Sequence, residues 1–71
     1  MSAENVSPYT AKGHYILWRF DADGLTPSEI DEQEGLGSGT ARACIVARWA
    51  EIKRGNKDKL ERAGRGLVWV N

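Results

Sequence analysis

The stretch Leu25-Thr26-Pro27-Ser28-Glu29-Ile30 carries the signals of a helix start. Thr26 is a suitable N-cap, because its hydroxyl can accept a hydrogen bond from the backbone N–H of Glu29. The Glu29 carboxylate can in turn accept one from the N–H of Thr26, which completes a capping box. Pro27 falls at the first helical position, where its missing N–H costs nothing. The sequence therefore predicts that a helix begins at this point.

The limits of this helix are marked on both sides. Leu25 and Ile30 have the spacing of a hydrophobic staple, which fixes the direction in which the chain enters a helix. Gly35 can adopt the left-handed conformation that closes a helix. We therefore expect a short helix of about two turns.

A longer helix is predicted after the turn Leu36-Gly37-Ser38-Gly39. Ser38 can serve as its N-cap and Gly55 as its stop, so that the helix covers Thr40–Arg54. The helical period predicts one buried apolar stripe, formed by Ala41, Ile45, Trp49 and Ile52. The opposite side carries Thr40, Ala43, Ala47, Ala50 and Arg54.

The segment that precedes the capped helix, residues 11–23, is compatible with helix or strand. In a helix one side carries Gly13, Ile16, Leu17 and Phe20. In a strand one face carries His14, Ile16, Trp18 and Phe20, in a stretch rich in β-prone residues. Helix is favoured because Asp21-Ala22-Asp23-Gly24 has the composition of a helix end followed by a turn. Residues 1–10 are expected to be a flexible tail, and residues 11–71 a single domain.

The C-terminal part is predicted to be a β-hairpin. Two short strands, Lys59–Ala63 and Leu67–Val70, flank Gly64-Arg65-Gly66. Two glycines around one residue permit the positive φ angles that tight hairpin turns need.

Composition restricts the class of protein. A chain of 71 residues has room for one domain. Cys44 is the single cysteine, which fits a reducing compartment and excludes an intrachain disulfide or a cysteine-based zinc cluster. No apolar run approaches the roughly 20 residues of a membrane span, and the first residues do not have the pattern of a secretion leader. We therefore expect a cytoplasmic protein without membrane contact.

The net charge of zero conceals an uneven distribution. Residues 1–36 contain two basic and seven acidic residues, a net charge of −5, whereas residues 37–71 contain eight basic and three acidic residues, a net charge of +5. Such a split is typical of a protein with one face for an anionic partner, nucleic acid above all. The alternative is two solvated faces of opposite sign.

Taken together, the predicted elements resemble the winged helix-turn-helix family. The resemblance covers about residues 15–71 and rests on three motifs: Leu25-Thr26-Pro27-Ser28-Glu29-Ile30, Gly35-Leu36-Gly37-Ser38-Gly39-Thr40-Ala41-Arg42 and Arg62-Ala63-Gly64-Arg65-Gly66-Leu67-Val68-Trp69. It implies a small α+β fold with three helices, a C-terminal two-stranded β-hairpin wing and, in some members, a further short strand. It also implies binding of double-stranded DNA, with the Thr40–Arg54 helix in the major groove and Arg65 at the tip of the wing. A small transcription regulator or accessory DNA-binding protein, associated with the nucleoid, is the expected function.

The predicted DNA-binding residues combine groove contacts with phosphate contacts. They are Ser38, Gly39, Thr40, Arg42, Ala43, Lys53, Arg54, Arg62 and Arg65. Three features depart from the family pattern. The segment Asn56-Lys57-Asp58-Lys59 is longer than the usual link to the first wing strand. Asp31 and Glu34 are acidic where small or apolar residues are usual, and the outer face of the longer helix is mostly alanine, which offers little direct base readout.

The alternative function is a protein-interaction or assembly module that does not bind DNA. Its expected interface consists of Trp18, Ala47 and Ala50, and its partner is a second copy or a larger protein complex. Small apolar side chains on the outer helix face favour this alternative. Catalysis is not expected: His14 has no nucleophile placed beside it by local structure, Cys44 lies close to the predicted buried stripe, and phosphate-loop, zinc-protease and hydrolase motifs are absent. No cofactor or metal ion is predicted.

Overall fold

The computed structural model describes residues 5–65, and this part of the chain contains four helices and no strand. They are α1 (Ala11–Asp21), α2 (Pro27–Glu34), α3 (Thr40–Lys53) and α4 (Lys57–Arg65). The expected α+β class with a β-hairpin wing is therefore wrong for the described residues.

Helix α1 resolves the ambiguity between helix and strand in favour of helix. It begins after Thr10, whose hydroxyl accepts a hydrogen bond from the N–H of Gly13 at 3.1 Å. Ile16 is its buried apolar residue, and Phe20 is half-buried beside the core. The helical period thus turns one side of α1 toward the remaining helices.

Helix α2 begins and ends where the sequence predicts. The N–H of Glu29 donates to the Thr26 hydroxyl at 3.2 Å, and the N–H of Thr26 donates to the Glu29 carboxylate at 3.0 Å, so the capping box is complete. Gly35 ends the helix in the left-handed conformation with φ 66°. Local chemistry is sufficient here, because the donors and acceptors lie within one helical turn of each other.

The core lies where α1 and α2 pack against the first half of α3. Its buried members are Ile16, Ile30, Ala41, Cys44 and Ile45. The predicted stripe of α3 is therefore correct at its N-terminal end and wrong further along, because Trp49 is 56% exposed and Ile52 36% exposed. The buried side of α3 faces α1 and α2 through its first two turns, so that Thr40 and Cys44 are buried in place of the two later residues.

Helix α4 replaces the first predicted wing strand. Residues 59–63 lie inside the helix, Leu60 is completely buried, and Gly64 and Arg65 form its last turn instead of a hairpin. Leu60, Ala63 and Gly64 share one helical face, which is buried or half-buried. Lysine, glutamate and arginine are good helix formers, so one apolar anchor suffices to dock this segment as a helix. The second predicted strand, residues 67–70, lies outside the described residues.

The segment that leads into α1 packs closely against this helix. Pro8 is buried, and the backbone oxygen of Ser7 passes so near to Gly13 that a Cβ atom at that position would lie 2.2 Å from it. The Tyr9 hydroxyl donates to Glu51 of α3 at 2.6 Å. Residues 7–10 thus make specific contacts that their composition did not predict.

Candidate nucleic-acid interface

The junction between α2 and α3 is held by the carboxylate of Asp31. This side chain is 8% exposed, and each of its oxygens accepts a hydrogen bond from the backbone at the start of α3. The N–H of Gly39 donates to Oδ2 at 2.9 Å, and the N–H of Ala41 donates to Oδ1 at 2.8 Å. Asp31 therefore caps α3 from a different helix.

This long-range cap replaces the local one that the sequence predicted. The N-cap position is Gly39, with φ 85° and no side-chain hydrogen bond, and Ser38 is an exposed turn residue. A carboxylate beside a helix N-terminus satisfies N–H donors and interacts favourably with the helix dipole. The acidic residue that departs from the family pattern thus positions α3 on α2. A signal for it was present in the sequence: Asp31 shares a helix face with Pro27 and Ile30, so an acid lies on the packing side of α2.

The same contact bears on phosphate binding. A helix N-terminus can offer its backbone N–H groups to a phosphate. Two of those groups, at Gly39 and Ala41, are already hydrogen-bonded to Asp31. These two N–H groups therefore do not serve an anion, and exposed side chains such as Arg42 have to supply the contacts in their place.

The predicted groove-contacting residues divide into exposed and buried ones. Ser38, Arg42 and Ala43 are exposed at the N-terminal end of α3, and Gly39 is exposed beside them. Thr40 is 0% exposed, because its side chain points into the interior between α3 and its neighbours. The structure therefore leaves Thr40 out of any surface contact and brings the other four together.

The predicted phosphate-contacting cations lie on two helices. Lys53 and Arg54 are exposed at the end of α3, and the Arg54 guanidinium donates to Glu51 at 3.0 Å. Arg62 and Arg65 lie on α4 instead of a wing. Basic side chains that form no ion pair within residues 5–65 are Arg42, Arg48, Lys53, Lys57, Lys59, Arg62 and Arg65.

An apolar groove adjoins this surface and was not predicted. It has a volume of about 590 Å³ and lies between the end of α1, the start of α2 and α3. Phe20, Ile45, Val46 and Trp49 contribute its apolar lining, and Val46 is 48% exposed. The groove was not predicted because Trp49 was assigned to the core. The α3 residues that line the groove do recur with a helical period.

The residues of the predicted protein interface lie on two helices. Trp18 is 46% exposed on α1, with its ring centroid 6.1 Å from that of Tyr15. Ala47 is half-buried and Ala50 exposed, both on α3. The large exposed apolar residues of α3 are instead Val46, Trp49 and Ile52, none of which was predicted as an interface residue.

Two titratable groups in the interior have shifted pKa values. Burial lowers the pKa of His14, and the nearby positive charge of Arg48 lowers it further. Burial raises the pKa of the Cys44 thiol, whose Sγ lies 3.9 Å from the backbone oxygen of Gly13. A buried thiol with a raised pKa is a poor nucleophile.

Metal-binding clusters and helices that could cross a membrane are both absent from the described part of the chain. Among residues 5–65 no group of three or more histidine, cysteine, aspartate or glutamate side chains could hold a metal ion. No helix in the same range is long and apolar enough to cross a membrane.

Comparison with known proteins returns no matching family model, no similar curated protein and no similar solved structure.

Proposed function

We propose that this chain binds double-stranded DNA through α2, the following turn and the exposed side of α3, as a small transcription regulator or accessory DNA-binding protein. The observation that carries the proposal is Arg42, which is exposed near the start of α3 and has no acidic partner within residues 5–65. In helix-turn-helix proteins the N-terminal residues of the second helix meet the base edges.

The side chains around Arg42 suit a major-groove contact. A guanidinium can bind guanine or a phosphate, the Ser38 hydroxyl can donate or accept, and the Ala43 methyl group can pack on the thymine methyl. The Asp31 cap supports this role because it holds α3 on α2 while both carboxylate oxygens are occupied by N–H groups. This carboxylate is 8% exposed and faces the N-terminal end of α3, whose dipole offsets part of its repulsion of phosphate.

The charge of the second half supplies the electrostatic part of the binding. Residues 37–71 carry eight basic residues and three acidic ones. One of the acidic residues, Glu51, is already bound by Tyr9 and Arg54. Contact by Arg42, Lys53 and one further cation would release counterions from about three phosphates, so log K should fall with log salt with a slope of about −3.

The experiment is a fluorescence anisotropy titration of a labelled mixed-sequence duplex of about 20 base pairs at several salt concentrations between about 50 and 200 mM. Arg42→Gln should weaken binding about five- to tenfold and flatten the salt slope by about 1 if Arg42 contacts a phosphate. A loss of affinity with an unchanged slope would instead assign Arg42 to a base edge.

Arg62→Gln is the matched control. It removes the same charge from an exposed position on α4 and should change affinity less than twofold. Equal losses of affinity in the two variants would show that DNA is attracted by the overall positive charge and not by a specific contact with Arg42. Absence of binding at about 50 mM salt would refute DNA binding.

A further inference from the structure

The exposed side of α3 carries an apolar pair, Val46 and Trp49, that DNA binding does not use. Arg42, Val46, Trp49 and Lys53 follow one another at intervals of four, three and four residues, so they lie along one line of the helix. All four are exposed. We call them the α3 stripe. It has an apolar centre and a cation at each end.

The centre of the stripe opens into the apolar groove. Phe20 and Ile45 lie behind Val46 and Trp49, and the volume of about 590 Å³ can accept apolar side chains from a partner. Tryptophan and arginine are the residue types that most often dominate the energy of protein interfaces. An indole that is 56% exposed beside a concave apolar surface is therefore suited to bind a protein segment.

The charges around the groove select the kind of segment. Arg42 and Asp31 are the charged residues that line it in the described part of the chain. Asp31 is 8% exposed and its two oxygens face backbone N–H groups, whereas Arg42 is exposed, so the charged group that the groove presents to solvent is the Arg42 guanidinium. Lys53 adds a second cation about 16 Å from Arg42, given a helical rise of 1.5 Å per residue.

We propose that the α3 stripe binds an acidic amphipathic helix of a protein partner. The helix would place apolar side chains over Val46 and Trp49 and carboxylates 11 residues apart against Arg42 and Lys53. Helix-in-groove recognition uses this kind of apolar spacing, and charge complementarity sets the choice of partner. The spacing of four, three and four residues reads the same in both directions, so either helix orientation satisfies it.

A second copy of this chain does not offer such a helix within residues 5–65. Its acidic helix is α2, whose 8 residues span only about 12 Å, shorter than the stripe. DNA matches the two cations but has nothing to cover Val46 and Trp49 along their length. Because Arg42 belongs to both surfaces, the acidic helix and duplex DNA would exclude each other.

The test uses the full chain and two synthetic peptides of about 18 residues. The first has glutamates 11 positions apart, with leucines four and seven positions after the first glutamate, on a helix-forming background. The second has lysines in place of the glutamates. The readout is the set of indole N–H signals in ¹⁵N NMR spectra, assigned with Trp49→Ala and Trp18→Ala.

The acidic peptide should shift the Trp49 signal and leave the Trp18 signal in place. The lysine peptide should bind at least about tenfold more weakly. Trp49→Ala should reduce binding of the acidic peptide about tenfold or more, and Trp18→Ala less than twofold. Val46→Glu is a second variant at an exposed position that should also abolish binding, because it places a carboxylate in the centre of the stripe.

Three results would overturn the proposal: no shift of Trp49 with either peptide, equal binding of both peptides, or a shift confined to Trp18. Duplex DNA separates this proposal from the preceding one. Trp49→Ala should lower duplex affinity less than twofold while peptide binding is lost. Another outcome is that duplex binding depends on Trp49 while the acidic peptide does not bind. The α3 stripe would then be a DNA-binding surface, and the acidic-helix proposal would be wrong.

Discussion

Asp31 illustrates how a single side chain can join two helices. Its position on α2 places a carboxylate within hydrogen-bond distance of two N–H groups at the start of α3, where the chain supplies no local cap. The N–H of Ala41 is buried, so without Asp31 it would have no access to water. A buried donor without a partner costs more than an average hydrogen bond contributes.

We therefore predict that Asp31→Ala lowers the free energy of unfolding by about 2–3 kcal/mol, and Asp31→Asn by about 1–2 kcal/mol, because an amide can accept one of the two hydrogen bonds. Urea denaturation followed by circular dichroism measures both values. Glu32→Ala is the control, since Glu32 is the adjacent exposed acid and its loss should change stability by at most about 0.5 kcal/mol. A cost for Asp31→Ala no larger than that of the control would contradict the cap.

At the scale of elements, α1 depends on a glycine at a position where glycine is normally unfavourable. Alanine is preferred over glycine inside helices by about 1 kcal/mol. At Gly13, however, a Cβ atom would lie 2.2 Å from the backbone oxygen of Ser7 and 2.9 Å from the Cα of Pro8. Both neighbours are backbone atoms, so neither can move without displacing the segment that caps α1.

Gly13→Ala is accordingly predicted to destabilise the protein by about 2 kcal/mol or more, through overpacking. Thermal and urea unfolding would measure the change. Ala50→Gly, at an exposed site on α3, is the control. Here the usual helix preference should hold, so the glycine variant should be less stable by about 1 kcal/mol. If Gly13→Ala were stabilising, the close packing of residues 7–10 on α1 would be wrong.

At the scale of the whole molecule, His14 connects three helices. It belongs to α1, and its imidazole lies so close to Gly64 of α4 that a Cβ there would be 3.0 Å from Cε1. Arg48 of α3 lowers its pKa in addition to burial. Glu61 and Arg65 of α4 line the same cavity, so the charges that face His14 are two guanidiniums and one carboxylate.

The lowered pKa of His14 makes the folded protein less stable at acidic pH. A base whose folded-state pKa lies below its unfolded value of about 6.5 contributes stability above that value, and this contribution is lost as the pH falls toward the folded-state pKa. We predict that the melting temperature falls between about pH 7 and pH 5. The other shifted groups titrate elsewhere: the pKa values of Glu29 and Glu51 are lowered from 4.5, and those of Tyr9, Tyr15 and Cys44 are raised from 10.0, 10.0 and 9.0.

Differential scanning fluorimetry across this range, with NMR titration of the His14 Cε1–H signal, provides the measurement. In His14→Gln the decrease between pH 7 and pH 5 should be absent or much smaller. A wild-type pKa at or above about 6.5, or an equal pH dependence in the variant, would show that the folded state does not disfavour the protonated imidazole.

The part of the fold that could be predicted is the part determined within one helical turn. The capping box at Thr26 and the left-handed Gly35 depend on neighbours a few residues away, and both are confirmed. The predicted start of α3 at Thr40 is also confirmed, although its cap is the distant Asp31 and not Ser38. The predicted first wing strand is wrong, because its residues also consist of good helix formers, and the nearby glycines at positions 64 and 66 do not by themselves decide between a hairpin and a helix. Packing of Leu60 favours the helix.

The candidate site, too, could be predicted only where local sequence determines it. Residue type and helical period were enough to place Ser38, Arg42 and Ala43 on one exposed surface of α3. They could not show that Trp49 lies outside the core, since its exposure depends on where α1 and α2 end against α3. Nor could they pair Asp31 with a helix that begins nine residues later.

The sequence by itself determined α2, α3, the uneven charge and the single cysteine, because each follows from local signals, side-chain period or simple counting, and it favoured a helix over a strand for α1. Only the tertiary structure decided that Thr40 is buried and Trp49 exposed, that α4 is a helix, and that Asp31 caps α3. These features arise from contacts between segments distant along the chain, whose relative positions are set by packing rather than by local conformational preference.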